Sequence, residues 1–331
     1  MKKIIISFLY FITAVYPLSQ DEFFQVLKKK RELLSSGKIE MKIYELKWAN
    51  EGEYKKFSEE LQKYIYSQPL EFKKWFIEKE KMLPTMSEPF KWEKVTYYFE
   101  GIEKFPYRRE HYIKEIPLEE FKRYISGVIK NQPNIIVRVP FKTEYSWDGT
   151  ILKEYEVYLT EEYGGENILT ISTDGNETAK FFKLWLIDYS FAPLENLPKF
   201  NKNFKFAYEK DRIIINDSLI FIPSFSCGCV HVLAHNKTGK LAREFITGAY
   251  ALINGIVHLP YFSSDATILA TGEVRQTLYI IEKYELRPIS NDEFSIKLVA
   301  PTKIIDYSFG KEPQIYYFNG KPLNKKEEGG R

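Results

Sequence analysis

The sequence has little cysteine, no long apolar run and no strong charge of either sign, and each absence excludes a class of protein. Two cysteines among 331 residues are too few for a disulfide-stapled scaffold. Beyond residue 19, no stretch approaches the roughly 18 uninterrupted apolar residues that indicate a membrane-spanning helix. The 48 basic and 45 acidic side chains nearly cancel to a net charge of +3. We therefore expect no nucleic-acid partner, because no overall field would attract one.

The glycine and serine patterns of common enzyme sites are also missing. The segment Glu162–Glu166, with sequence EYGGE, is typical of a turn and lacks the spacing of a phosphate-binding loop. Ser224 and Ser226 lie close to histidines, but no G-x-S-x-G nucleophile elbow surrounds them. The sequence accordingly predicts a protein that is not an enzyme and that carries no cofactor.

The chain is rich enough in apolar side chains to form a sizeable core. Apolar residues make up 44% of the chain and aromatic residues 16%. This composition excludes an intrinsically disordered chain and indicates a globular protein.

Residues 1–19 have the features of a secretory signal peptide. Lys2 and Lys3 precede an apolar run from Ile4 to Tyr16, and Pro17 ends that run. The run is shorter than the roughly 20 residues that span a bilayer. We therefore predict export to the periplasm or the extracellular space, and a mature chain that is not transmembrane after signal removal.

Helical spacing of apolar residues marks the N-terminal third of the mature chain. One amphipathic helix is predicted over 21–35, and two more are predicted within 51–82, with a break near Ser67 and Pro69. Two short helices are predicted further along, over Leu118–Ile129 and Thr178–Tyr189.

Beyond Lys91 the pattern changes to short β-rich runs separated by turns such as Asn254-Gly255. The predicted strands are Trp92–Glu100, Tyr107–Ile116, Asn134–Tyr145, Ile151–Thr160, Ile168–Ser172, Arg212–Ile215, Ser218–Ile222, Cys227–Ala234, Glu244–Ile253, Ile256–Pro260, Ile268–Lys283 and Glu293–Val299. A strand around Ile39 to Leu46 precedes them. So many strands with few helices between them favour an α+β fold with one large curved antiparallel sheet, a half-open barrel, with the N-terminal helices packed on or plugging its concave face.

The domain organisation follows from these patterns. We predict a single half-barrel domain over residues 20–315, with the helical segment 51–82 as an insertion. Residues 316–331 are predicted to hold the end of a last strand and a flexible tail.

Several short motifs resemble the lipoprotein-localisation family, which includes a periplasmic lipoprotein carrier and its outer-membrane receptor. The motifs are Tyr97-Tyr98-Phe99-Glu100-Gly101, Phe105-Pro106-Tyr107-Arg108-Arg109-Glu110, Tyr145-Ser146-Trp147-Asp148-Gly149, Ser290–Ile296 and Ile304–Gly310. The resemblance covers 21–48 and 90–315. It implies a half-open antiparallel barrel plugged by helices, whose concave face holds acyl chains.

The resemblance also implies a latch, because the family's carrier uses an arginine to fasten its lid to backbone carbonyls. Arg108 and Arg109 both lie near the matching position, and the motif does not choose between them.

Aromatic residues on the predicted strands give a candidate ligand cavity. Tyr97, Phe99, Tyr107, Tyr145 and Trp147 fall on consecutive strands, where alternate positions line one face. Such a wall can hold an acyl chain, at about 0.8 kcal/mol per buried methylene. In the alternative, helices 21–35 and 51–82 fill the same space with their own apolar side chains.

The segment Phe225–His235 contains both cysteines and two of the four histidines. On a regular strand Cys227, Cys229 and His231 share one face, which permits three interpretations. They form a Zn²⁺ or Cu(I) site, a strained and readily reduced disulfide within Cys227-Gly228-Cys229, or a pair of buried structural thiols.

Taken together, the sequence predicts an exported protein that binds a lipid or an acylated protein in an apolar cavity and acts in lipoprotein sorting within the cell envelope. Two alternatives stay open at this point. One is an extracytoplasmic metal-binding or thiol-redox protein that uses Cys227 and Cys229. The other is a structural module that contacts an envelope protein partner.

Overall fold

The structure is a computed structural model, and it describes most of the β-rich part of the chain. The described residues are 21, 25, 32, 35–65, 67–85, 90, 92–101, 108–131, 139–158, 166–173, 206–209, 212–215, 219–223, 230–253, 257–310 and 312–320.

Within the described residues, fifteen strands form one open, curved sheet. They are β1 (Ser36–Trp48), β2 (Glu93–Glu100), β3 (Arg109–Glu115), β4 (Lys142–Trp147), β5 (Leu152–Val157), β6 (Asn167–Ser172), β7 (Phe206–Glu209), β8 (Arg212–Ile215), β9 (Leu219–Pro223), β10 (Val230–His235), β11 (Leu241–Ile253), β12 (Val257–Ile268), β13 (Val274–Glu285), β14 (Thr302–Asp306) and β15 (Gln314–Phe318). Their order is β15-β14-β6-β5-β4-β3-β2-β1-β13-β12-β11-β10-β9-β8-β7. All neighbours are antiparallel except β6 and β14, which are parallel. The predicted α+β class with one large antiparallel sheet is confirmed.

Three helices are described in full: α1 (Glu51–Gln62), α2 (Pro69–Lys79) and α3 (Leu118–Asn131). The predicted break between α1 and α2 is confirmed. Pro69 is the first residue of α2, and proline is favoured there because the N–H of that position makes no hydrogen bond within the helix. Asn50 caps α1, since its side-chain oxygen accepts from the Glu53 N–H at 3.0 Å. Within the helix predicted over 21–35, residues 21, 25 and 32 are helical. The helix predicted over Thr178–Tyr189 and the signal peptide predicted over 1–19 lie outside the described residues.

Strand β1 lies near the middle of the sheet and buries both of its faces. Burial alternates through Ile39, Met41 and Ile43, and at Tyr44 the alternation shifts by one position. Because successive side chains point to opposite sides, the shift moves the apolar set to the other face. We call the side that carries Ile39 and Met41 the aromatic face, and the side that carries Tyr44 and Leu46 the helical face.

Helices α1 and α2 cover the helical face. Their apolar residues pack with side chains of β1, β11, β12 and β13 in one cluster, which includes Tyr54, Phe57, Leu61, Phe72, Phe76, Ile246, Phe262 and Leu278. Phe72 stacks on Phe262 with ring centroids 4.5 Å apart. Segment 51–82 is therefore packed on the side opposite the aromatic residues predicted to line a cavity, and it does not fill the space over them.

Two strand predictions are wrong, the first entirely and the second in part. The predicted strand Glu293–Val299 is instead a 3-10 turn over Asn291–Phe294 followed by irregular chain. A capping box formed by Ser290 and Glu293 favours the turn. The predicted run Ile268–Lys283 contains a turn between β12 and β13, where Gly272 has a positive φ of 84°. The strand pattern predicts neither β7 nor β14, and of β15 it predicts only the end, within 316–331.

A pair of glycine substitutions tests the packing of the helical face. A Cβ at Gly248 in β11 would overlap the buried ring of Phe262, whereas a Cβ at Gly127 in α3 meets nothing within 4 Å. We expect Gly248→Ala to lower the free energy of unfolding by about 1–3 kcal/mol through overpacking. Gly127→Ala should raise it by roughly 0.5–1 kcal/mol, because alanine favours a helix. Urea titration measures both, and equal effects would contradict this packing.

Candidate functional site

The aromatic face carries a row of side chains that lie directly opposite one another on neighbouring strands. Ile39 pairs with Tyr97, Tyr97 with Tyr112, and Tyr112 with Tyr145. The rings of Tyr97 and Phe99 stack at 5.8 Å. The structure thus places Tyr97, Phe99 and Tyr145 on one face, as alternation predicts.

These side chains are packed rather than open to solvent. Tyr97 is 0% exposed, Phe99 1% and Trp147 3%, while Tyr145 is half-buried. Trp147 packs against Leu152 across the β4–β5 hairpin. Tyr107 lies outside the described residues. Ligand binding by these residues stays a prediction. A ligand would reach the buried side chains only if the part of the protein that covers them moved away.

The two candidate latch arginines point to opposite faces of the sheet. Arg108 lies on the aromatic face, where its Nε is 2.9 Å from Oε2 of Glu110 and both side chains are almost fully buried. Arg109 lies on the helical face, where it donates to Glu100 at 3.2 Å and packs over the Phe294 ring at 4.2 Å. The difference follows from their adjacent positions, since neighbouring strand residues face opposite ways.

A buried polar group interrupts the aromatic face at Glu110. Its carboxylate pairs with Arg108 and accepts a hydrogen bond from the Tyr97 hydroxyl. Burial, together with the nearby carboxylate, raises the pKa of Tyr97 well above its ordinary value, so this hydroxyl stays protonated and donates. Removing either charge would leave the other buried without its partner.

A second buried carboxylate lies under α1 on the helical face. Glu244 of β11 accepts hydrogen bonds from the Tyr54 hydroxyl at 2.6 Å and the Ser58 hydroxyl at 2.9 Å. His231 of β10 donates its Nε2–H to the same carboxylate at 2.6 Å. These contacts fasten α1 to the sheet, and sequence reasoning missed Glu244. A charged residue inside an apolar strand pattern was the signal that could have found it.

The predicted metal or redox site is only partly described. His231 is in place on β10 and bonded to Glu244, whereas Cys227 and Cys229 lie outside the described residues. Within the described ranges, no three His, Cys, Asp or Glu side chains come together as a possible metal site. The metal and redox interpretations stay predictions.

An open apolar groove runs between α2 and the sheet on the helical face. It has a volume of 590 Å³ and is lined by Lys42, Tyr44, Pro69, Leu70, Phe72, Lys73, Phe76, Ile77, Glu80, Tyr261, Ile280, Ile281 and Glu282. Leu70 and Ile77 on α2 are 63% and 54% exposed, although both are large and apolar. A volume of this size falls within the roughly 300–1,000 Å³ of ligand pockets.

The walls of the groove are held in place by aromatic packing and hydrogen bonds. The Tyr44 and Phe76 rings meet edge to face at 5.3 Å, and the Tyr44 hydroxyl donates to Glu80 at 2.6 Å. Burial raises the pKa of Tyr261 to about 12, and its hydroxyl donates to the carbonyl of Ser67 at 3.1 Å. The groove is therefore formed before any ligand arrives.

A smaller cavity of 370 Å³ lies between the β4–β5 hairpin and the segment 294–298. Polar and apolar side chains both line it, among them Trp147, Asp148 and Lys153. It is less suited to an apolar ligand than the groove beside α2.

Comparison with known proteins gives only distant structural similarity. No family model matches the sequence, and no curated protein matches it. The chain is similar to a LolA superfamily protein from Nitrosomonas europaea, with 9% identity over 84% of this chain and 98% of that chain and a TM-score of 0.37. It is also similar to a domain assigned to an outer membrane lipoprotein-sorting protein from Vibrio parahaemolyticus, with 8% identity, 82% and 94% coverage and a TM-score of 0.40.

Among the described helices, none is long and apolar enough to cross a membrane.

The buried carboxylate under α1 predicts a specific pH dependence of stability. Burial raises the pKa of Glu244, but its hydrogen bonds from His231, Tyr54 and Ser58 outweigh that effect and leave the pKa below the ordinary value of 4.5. Its stabilisation is therefore present above about pH 4.5 and is lost as the pH falls through the lower, folded-state pKa.

We expect Glu244→Gln to lower the free energy of unfolding at neutral pH by about 1–3 kcal/mol. The further loss of stability in acid should be smaller in this variant than in wild type. Chemical denaturation at several pH values measures both. Glu59→Gln, at an exposed position of α1, is the control and should change stability by less than about 0.5 kcal/mol. If wild type and Glu244→Gln lost the same free energy of unfolding between neutral and acid pH, the role assigned to Glu244 would be contradicted.

Proposed function

We propose that this protein is an exported, non-enzymatic lipid-binding protein that takes the acyl chain of a lipid or an acylated protein, and that it serves lipoprotein sorting in the cell envelope. The observation that carries the proposal is the open apolar groove beside α2, with Leu70 and Ile77 exposed at its rim. Exposed apolar side chains around a preformed concave space favour an apolar ligand.

The chemistry of the lining favours a long saturated chain over a polar ligand. Tyr44, Phe72, Phe76 and Ile280 supply apolar surface, and the lysines and glutamates that border the groove are equal in number. Each buried methylene contributes about 0.8 kcal/mol, so about ten contribute roughly 8 kcal/mol. Association itself costs about 4–15 kcal/mol, so only a ligand that fills the groove binds well.

Charged substitutions at the rim test the groove. We expect Leu70→Glu and Ile77→Glu each to weaken binding of palmitate at least tenfold, because the chain would have to desolvate a carboxylate. Both side chains are already exposed, so stability should change by less than about 0.5 kcal/mol. Calorimetric titration measures the affinity.

Met82→Glu is the matched control. Met82 is a large apolar side chain that is 70% exposed, close in sequence to α2, and it does not line the groove. Its variant should bind as wild type does. Equal weakening by all three variants would show a non-specific effect of charge, and no binding by wild type would refute the proposal.

The length of the ligand gives an independent test. In a series of saturated fatty acids, Kd should fall about fourfold per added methylene, the equivalent of about 0.8 kcal/mol, until the groove is full. An affinity independent of chain length would mean that the acyl chain is not the part recognised.

The aromatic face is a second place where an acyl chain could lie, as the sequence predicts for Tyr97, Phe99, Tyr107, Tyr145 and Trp147. There Arg108 would act as the latch, and Arg109, on the other face, would not. A photoreactive fatty acid distinguishes the two places: labelled peptides that contain residues 69–80 indicate the groove, and labelled peptides that contain residues 97–99 or 145–147 indicate the aromatic face.

A further inference from the structure

The strand at one end of the sheet has an open edge. In the described strand order β15 is bonded to β14 on one side and has no strand on its other side. Among the described strands, none pairs with this outer edge of β15, and a further strand could do so.

Three of the features by which natural proteins protect a sheet edge, namely charged residues, prolines and bulges, are missing from β15. Its five residues, Gln314–Phe318, include no charged residue and no proline. Its register with β14 runs without a bulge from Thr302 and Phe318 to Asp306 and Gln314. Charges, prolines and bulges normally block edge-to-edge pairing, so this edge is suited to pairing.

Apolar side chains are exposed along the same strand. Ile315 is 56% exposed and Tyr317 is 50% exposed, and the two lie on one face because they are two residues apart. Tyr316 and Phe318 alternate with them and pack inward near Ile304.

We propose that β15 pairs antiparallel with β15 of a second copy of this chain, about a two-fold axis at Tyr316. In this register Ile315 of each copy lies opposite Tyr317 of the other, and Tyr316 lies opposite Tyr316. The strand is therefore complementary to itself, as a two-fold interface requires. No like charges meet, and the net charge of only +3 opposes association weakly.

The pairing joins the two sheets into one continuous sheet. Opposite residues on antiparallel strands point to the same side, so Ile315 and Tyr317 of both copies form one apolar patch. Five residues bury less than the roughly 1,200 Å² of a standard interface. The dimer is accordingly weak and forms with rising concentration.

Sedimentation velocity across a wide range of concentrations tests the pairing. Wild type should pass from monomer to dimer, and Ile315→Lys and Tyr317→Glu should each raise the dissociation constant at least tenfold. Phe309→Lys is the control, because Phe309 is 73% exposed but lies outside the strand. Thermal midpoints equal to wild type would show that the variants still fold.

Mixing the two strand variants tests the register. The ammonium group introduced by Ile315→Lys in one chain then lies opposite the carboxylate introduced by Tyr317→Glu in the other. The mixture should therefore form a heterodimer more tightly than either variant forms a homodimer. Three results would overturn the proposal: a wild type that stays monomeric, strand variants that dimerise like wild type, or assemblies larger than dimers, which would indicate pairing between different edges.

Discussion

The alternation of buried residues in β1 shifts by one position at Tyr44, and the two-sided burial that results governs the rest of the fold. Ile39 and Met41 are buried on the aromatic face, and Leu46 and Trp48 are buried on the helical face. Both sides of the central strand are therefore largely covered. Among the described residues, an open apolar groove remains beside α2, lined by Tyr44 of β1 and by Leu70 and Ile77.

The hydrogen bonds around Glu244 explain how α1 is held in place on the sheet. Tyr54 and Ser58 of α1 both donate to this carboxylate, which also pairs with His231 from the sheet. Moving α1 away would break both of its hydrogen bonds to this carboxylate and expose the apolar side chains by which α1 packs on the sheet. The connection between α1 and α2 is fastened as well, since the Tyr261 hydroxyl of β12 donates to the Ser67 carbonyl. These contacts hold α1 and the connection to α2 against the sheet beside the groove.

Local patterns predicted the elements well, because each rests on neighbours in the sequence. The break before Pro69 and the helix from Leu118 depend on residues within a turn or two. Long-range placement was harder: alternation in β1 marks two faces but does not say which one receives α1 and α2. The opposite directions of Arg108 and Arg109 did follow from alternation, once β3 was known to begin at Arg109. The groove could not be predicted, because it joins α2 to strands some 200 residues away, such as β12 at Tyr261.

Energetic magnitudes separate the two places where an acyl chain could bind. To reach the aromatic face, a ligand must displace whatever buries Tyr97, Phe99, Tyr112 and Trp147, and exposing four such side chains costs about 1.5–3 kcal/mol each, or roughly 6–12 kcal/mol. About 8–15 methylenes at 0.8 kcal/mol each are needed to offset that cost. At the groove, Leu70 and Ile77 already face water, so even the first methylene that is buried there contributes favourably to the binding free energy. Under the proposed function, an acyl chain would therefore bind first at the groove, and only a long chain could exchange into the aromatic face.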